Sequence, residues 1–357
     1  MVVTESLSDI SPFTDSRTKA TTVLDKQDSC QPLGSKITIP YLRNKMKKIY
    51  TLILFCFLIK ASAQELNIPT FTQYLADSPF VISPSYAGIG DNVKIRANGL
   101  TQWVGIKGAP DNQSVAADMR IEDRSGIGVF LYNDKNGNTK QSGAKFSFAH
   151  HLMLEKYSDQ FLSLGISYNM NQFRIQIENF NGPDIGVTNN RAIVNHNFDV
   201  SALYRIHDFY FSFAASNILN KNLDKFAINE PNTLRNYQIY TGYTFKSKSS
   251  DLEVEPSVFY QLYESDGRSS TDVNLKLRMM SHGEDYYWAG ISYRFLNDQM
   301  FTPLNIGPMA GIKKSGFYFA YSYQITTNEF ISMNSGTHMI TLGLDIFQGV
   351  SNCACTL

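Results

Sequence analysis

The sequence has no excess charge of either sign: 32 basic side chains meet 32 acidic ones over 357 residues. Nucleic-acid recognition needs a clustered basic face, so this balance argues against a nucleic-acid partner. Cysteines number four, and they fall at Cys30, Cys56, Cys353 and Cys355, leaving the middle of the chain without one. Downstream of residue 64 no apolar run approaches the roughly 20 residues that a membrane-spanning helix requires. The six histidines, His150, His151, His196, His207, His282 and His338, show no zinc-ligand spacing on a shared element. Tryptophans number two against 24 phenylalanines and 20 tyrosines. Tyrosine joins an apolar ring to a wet hydroxyl, a combination suited to membrane interfaces and to sheets in general.

One apolar run is present, but it is short. Met46-Lys47-Lys48 leads into Ile49–Ile59, then Lys60 and Ala61-Ser62-Ala63-Gln64. A charged start, a short apolar stretch and an Ala-x-Ala ending are the three parts of a secretory signal peptide. Residues 46–63 therefore read as a signal peptide cleaved between Ala63 and Gln64. Phe55, bulky where a small residue is needed, keeps Cys56 from forming a lipoprotein signal. Residues 1–45 mix Ser, Thr, Asp, Lys and Pro without sustained apolar period, so they read as a disordered extension. Translation starting at Met46 is the simplest account of them, and an extended n-region the next. Cys353 and Cys355 sit in a C-terminal tail, 348–357, where a Cys-x-Cys pair can form a strained disulfide, bind a soft metal, bond a partner or stay inert.

From residue 93 to 347 the chain alternates. Leu162, Leu164, Ile166, Tyr168 and Met170 interleave with Ser163, Gly165, Ser167 and Asn169. Ile340, Leu342, Leu344 and Ile346 interleave with Thr341, Gly343 and Asp345. Val273, Leu275, Leu277 and Met279 do the same with Asn274, Lys276 and Arg278. A period of two places the two rows on opposite faces of a sheet. About fourteen such segments follow one another, an even number as bacterial barrels have: 93–103, 112–120, 126–133, 139–152, 160–176, 194–205, 208–217, 235–246, 252–263, 271–280, 285–295, 303–312, 316–325 and 335–347. Asn136-Gly137 and Asp266-Gly267 supply turn chemistry. Aromatics near segment ends (Tyr204, Tyr243, Phe245, Tyr260, Tyr263, Tyr293, Phe295) fit the girdles of a membrane barrel. The fold class expected is all-β: an antiparallel transmembrane β-barrel with its apolar row toward lipid and its polar row inside. On that reading arginine is tolerated better at Ser163 or Thr341 than at Leu164 or Leu342. Residues 64–92, rich in proline and small residues, form a periplasmic or lumenal segment before the first strand.

No active site emerges. His151 shares a strand face with Lys145 and Ser147, but nucleophile, base and orienter cannot be named together. Asp134, Asn136 and Asn138 are spaced like the start of a calcium loop, yet Thr139 replaces the required glycine and Lys145 the closing glutamate. Gly126-Ile127-Gly128 lacks the third glycine and the helix of a phosphate cradle. The chain is expected to be no enzyme and to need no cofactor and no metal.

Several blocks resemble the PorP/SprF family. They are Gln73-Tyr74, Ser83-Pro84-Ser85-Tyr86-Ala87-Gly88, and Gln102-Trp103-Val104-Gly105-Ile106-Lys107-Gly108-Ala109-Pro110. Gly126-Ile127-Gly128 with Asn133-Asp134, Trp288–Arg294 and Ser335–Gly343 follow in the same order. The chain departs from the family where Ser78-Pro79 and Ser83-Pro84 replace Asn-Pro. The resemblance implies a Bacteroidota outer-membrane protein of the type IX secretion system or its gliding-motility relatives. It also implies a non-enzymatic barrel whose partners are membrane lipid, other secretion components and a large adhesin-like client bearing a sorting domain. It singles out Gln73, Tyr74, Pro84, Tyr86, Ala87, Gly88, Gln102, Trp103, Gly105, Gly108, Ala109 and Pro110 as candidate partner residues. A porin-like channel for small solutes is the alternative, and an outer-membrane hydrolase a third reading. An open charged lumen would favour the porin, and a filled lumen a protein that works by contact.

The Ala61-Ser62-Ala63 ending predicts that N-terminal sequencing of protein from outer membranes begins at Gln64. Recovery of residues 1–45 would rule out a start at Met46.

Overall fold

The computed structural model describes residues 77–155, 159–175, 191–219, 235–247, 249–264, 267–281, 283–297, 301–327 and 329–349. The proposed signal peptide, Gln73, Tyr74, Cys353 and Cys355 lie outside them. Fourteen antiparallel strands close into a barrel. In chain order they are β1 (Asn92–Thr101), β2 (Asp111–Glu122), β3 (Ser125–Asn136), β4 (Thr139–Glu155), β5 (Gln160–Ile175), β6 (Arg191–Ile206) and β7 (Phe209–Ser216). Next come β8 (Asn236–Tyr243, resuming after Thr244 as Phe245–Lys246), β9 (Leu252–Tyr263), β10 (Ser269–Met280), β11 (Tyr286–Leu296), β12 (Thr302–Lys314), β13 (Phe317–Thr326) and β14 (Thr337–Phe347). Each strand pairs with the next, and β14 returns to β1 in a ladder running from Asn92 opposite Phe347 to Thr101 opposite His338. Closure leaves no open edge, the condition for strands to cross hydrocarbon.

The alternation sorts the side chains as a membrane protein sorts them. Leu164 and Ile166 are each 47 % exposed and Leu342 58 %, while Ser163 is fully buried and Ser147, Ser167 and Thr341 are buried with it. A soluble sheet would bury the leucines; here they form a belt for lipid, and the polar row is the interior. Above the belt on β2–β4 runs an outward polar row. Asn133 donates to Gln113 (3.3 Å) and Ser142 to Asn133 (3.1 Å). Tyr–His pairs mark the same border elsewhere: Tyr168 with His196 and Tyr321 with His338, each at 2.6 Å.

The two ends differ. At one, β2 passes to β3 through Asp123–Arg124, β6 to β7 through His207–Asp208, and β12 to β13 through Ser315–Gly316. At the other, β1 passes to β2 through 102–110, and the 3-10 turn Glu329–Ser332 stands between β13 and β14. Outer-membrane barrels keep short turns in the periplasm and long loops outside. The first end is therefore periplasmic, and β1 enters from it.

The lumen is crowded, and this corrects the expectation for arginine on the inner row. The Ser163 hydroxyl meets His151 (2.7 Å), and Thr341 donates to Asn98 (2.7 Å). An arginine at either position would displace packed, hydrogen-bonded neighbours. Large inner side chains fit because a glycine faces them. A methyl group on Gly143 would overlap the Tyr132 hydroxyl, and one on Gly343 the Arg96 guanidinium.

Ile166→Arg or Leu342→Arg, both within the belt, is expected to lower stability by about 2–4 kcal/mol, and Phe347→Arg at the periplasmic rim by about 1 kcal/mol or less. Urea unfolding in lipid vesicles reads the difference. Equal losses at all three positions would mean that the belt does not face lipid.

Candidate functional site

Residues 77–91 lie inside the barrel. Two short 3-10 turns, Pro79–Val81 and Pro84–Tyr86, begin on proline, whose fixed φ suits a first helical position and whose missing N–H costs nothing there. Phe80, Val81, Ile82 and Ala87 are buried in one cluster with the inward residues Leu100, Phe130, Tyr240 and Phe259. The backbone comes as close as its neighbours allow. A methyl group on Gly165 would overlap the Ser85 nitrogen, and one on Gly126 the Ala87 carbonyl oxygen. The Phe80 ring occupies the space above Gly128.

Lumenal side chains hold this segment mostly by its main chain. Lys145 donates to the Val81 carbonyl (3.1 Å), and the Ser85 N–H donates to the Ser201 hydroxyl (2.8 Å). His151 meets the Ala87 carbonyl through Nε2 (3.1 Å), and the Gly88 N–H donates to Asp118 (3.0 Å). Lys94 and Arg120 donate to the Ile89 and Gly90 carbonyls at 3.0 and 2.9 Å. A carbonyl only accepts, so Nε2 of His151 carries the proton, and Nδ1 accepts from Ser163. Side chains also meet directly, Ser83 with Ser212 at 3.0 Å.

An ionic chain ties the segment to the barrel's closing strands. Asp77 pairs with Arg96 on β1; Arg96 pairs with Asp345 on β14 (2.6 Å), and Asp345 with Lys313 on β12 (2.8 Å). Lys313 continues to Glu284 in the β10–β11 turn (2.7 Å), which accepts from Asn92 (2.7 Å). Side-chain bonding to Lys313 and Asn92 holds the Glu284 carboxyl below its ordinary value. Arg96 also lies 4.5 Å from the centre of the Tyr318 ring. Charges buried as Arg96, Asp345 and Lys313 are persist only when paired and hydrogen-bonded, and each of the three is. Similar pairs line the rest of the lumen: Lys145–Asp199 (2.8 Å), Lys276–Glu255 (2.7 Å) and Arg294–Asp272 (2.6 Å).

At the extracellular end a second feature stands above the polar row. Trp103 does not end β1, which stops at Thr101; it sits in the 102–110 loop with φ +46°, next to Gly105 (φ +102°) and Gly108 (φ +76°). The loop is braced on both sides. Val104 donates to the Gly336 carbonyl (3.0 Å) and accepts from Ser335 (2.8 Å), while Gly137 donates to Gly108 (2.9 Å). Gln102 donates to Pro110, closing its base (2.9 Å). The result is a fixed ledge presenting Trp103, Val104 and Ile106, with Ile331 and Met333 exposed on the adjoining loop.

The candidate residues thus divide between two places. Pro84, Tyr86, Ala87 and Gly88 belong to the lumenal segment; Gln102, Trp103, Gly105, Gly108, Ala109 and Pro110 build the ledge. Gln73, Tyr74, Ala63 and Gln64 fall outside the described residues. His151, Lys145 and Ser147 do share the inward face, but they turn to different partners, Ser147 to Ser167 (2.8 Å) and Lys145 to Asp199, and no triad forms. Asp134 accepts from Asn112 (3.3 Å). Among the described residues no group of three His, Cys, Asp or Glu side chains is placed to hold a metal. Arg96, Asp118, Lys145, His151 and Ser201 were not singled out as holding the segment. Their signal was their place in the inward row.

A family model described as "Type IX secretion system membrane protein PorP/SprF" matches residues 63–344. No curated protein matches the sequence. Among solved structures, the Acinetobacter baumannii outer membrane protein Omp33 is 9 % identical, with 72 % of this chain and 100 % of that one covered and a TM-score of 0.42. The CymD monoaromatic hydrocarbon channel is 9 % identical, with 80 % and 93 % covered and a TM-score of 0.43. CdiB from Acinetobacter baumannii is 5 % identical, with 71 % and 60 % covered and a TM-score of 0.34. None of the three is close enough in shape to carry anything over to this chain.

The close approach at Gly165 gives a contrast within one fold. Gly165→Val is expected to lower stability by about 1–3 kcal/mol, as overpacking does. Gly99→Val, with open space where its side chain would project, is expected to stay within about 0.5 kcal/mol. Heat-modifiability gels and urea titration check both, and equal behaviour would mean that residues 77–91 do not press on β5.

Proposed function

We propose, for a chain that belongs to the PorP/SprF family of type IX secretion membrane proteins, that it works in the outer membrane by contact. On this reading it supports secretion, or surface retention, of large sorting-domain clients, and neither catalyses a reaction nor passes solutes. The observation that carries the proposal is the filled lumen. Residues 77–91 occupy the space a solute would need, and the charges of the inner row are spent on one another and on that segment. The porin-like reading calls for a lumen lined by charges facing water.

The ledge is the place on the outer surface that this function would use. Gln113, Asn133 and Ser142 separate it from the lipid belt, so its apolar side chains stand in water and not in hydrocarbon. An aromatic held rigidly and exposed above a polar row is the kind of anchor that carries protein–protein binding, because little entropy is lost when it docks. We assign to it the contact with other secretion components or with an adhesin-like client.

Deleting the gene is expected to remove one or a few large proteins from the cell surface while uptake of small solutes stays unchanged. Replacing Trp103 by Ala together with Ile106 by Ser is expected to weaken co-purification of those proteins about tenfold, the equivalent of about 1.4 kcal/mol, with the barrel still heat-modifiable. Normal surface display from a barrel that conducts freely in planar bilayers would instead establish the porin reading.

A further inference from the structure

The segment inside the barrel is held in an uneven way. Six lumenal side chains, Lys94, Asp118, Arg120, Lys145, His151 and Ser201, bond to its main chain at Val81, Ser85, Ala87, Gly88, Ile89 and Gly90. Main-chain groups are common to every polypeptide. Of side chains the lumen takes a few kinds: the apolar Phe80, Val81 and Ile82 in one buried cluster, the Asp77 carboxylate at Arg96, the small Ser83 beside Ser212, and backbone close enough to Gly126 and Gly165 that only small residues fit. The turns themselves are set by proline at two positions.

From this we infer that the lumen is a polypeptide-binding site. Residues 77–91 are its resident ligand, and a second segment of the same kind, proline-started turns with small residues between them, exchanges for it. Exchange is favoured over simple opening for a physical reason. Leaving an empty lumen strips Asp118 of its Gly88 N–H donor and His151 of its Ala87 carbonyl acceptor, and buried polar and charged groups without a partner are costly. An incoming main chain supplies the same donors and acceptors as it enters, so the inner row is never bare. The inference goes beyond the contact function above, since that function does not require the lumen to bind anything but its own segment.

The test uses the full chain in planar bilayers and a synthetic peptide of residues 77–91. Gly88 has φ +75° and lies against Gly126, so Gly88→Val keeps the resident segment from seating while leaving the socket intact. The wild-type chain is expected to be silent and G88V to conduct. The peptide is expected to abolish the G88V current in a saturable way, and the peptide carrying the same Gly88→Val change to leave it. A folded G88V barrel that is silent, or a current indifferent to the peptide, would overturn the inference. Should G88V fail to fold, Ser83→Cys in a chain with Cys353 and Cys355 changed to serine gives the second reading, because Ser83 is buried against Ser212. Its cysteine is expected to resist a membrane-impermeant maleimide and to become labelled when excess peptide is added. Labelling unchanged at saturating peptide would equally overturn the inference.

Discussion

An amide in hydrocarbon has no water to fall back on, so a sheet in a membrane must pair every strand on both sides. The ladder between β1 and β14, from Asn92–Phe347 to Thr101–His338, meets that demand. Much else follows from it. A closed ring of this size has a bounded interior, and whatever points inward must fit there and find partners. The Arg96–Asp345 pair crosses the same seam that the ladder closes, so covalently distant ends of the chain are joined by charge as well as by backbone.

A bounded interior explains the pairing of bulk with emptiness. Tyr132 lies over Gly143, Trp288 over Gly311 and Arg96 over Gly343, each large group using the volume that a neighbouring strand leaves free. Gly343 of the last strand, one of the residues in the Ser335–Gly343 block, owes its lack of a side chain to Arg96. The lumenal segment obeys the same rule from the other direction, its turns set against Gly126, Gly128 and Gly165.

The strands were legible because lipid and lumen impose a period of two on nearly every segment. The expected span 252–263 coincides with β9, and the break in β8 at Thr244 leaves its expected span, 235–246, almost unchanged. Bounds were less legible at strand ends, where β4 runs on to Glu155 and β6 begins at Arg191, each three residues beyond the expected span. The positive φ that carries Trp103 out of β1 has no local signature, since tryptophan rarely adopts it. Contacts between the inward row and residues 77–91 were not legible either. His151 and Lys145 could be placed on one face by counting, but their partners, Ala87 and Val81, are set by tertiary fit.

The shared guanidinium of Arg96 couples two events that are far apart in synthesis. Asp77 precedes the first strand and Asp345 belongs to the last, yet the same side chain serves both. A ring that closed before residues 77–91 were inside would leave Arg96 with half its counter-charge until the segment threaded in through the open periplasmic end. The charge therefore favours one order of assembly: a segment already in place when the last strand arrives gives Arg96 both of its carboxylates at once.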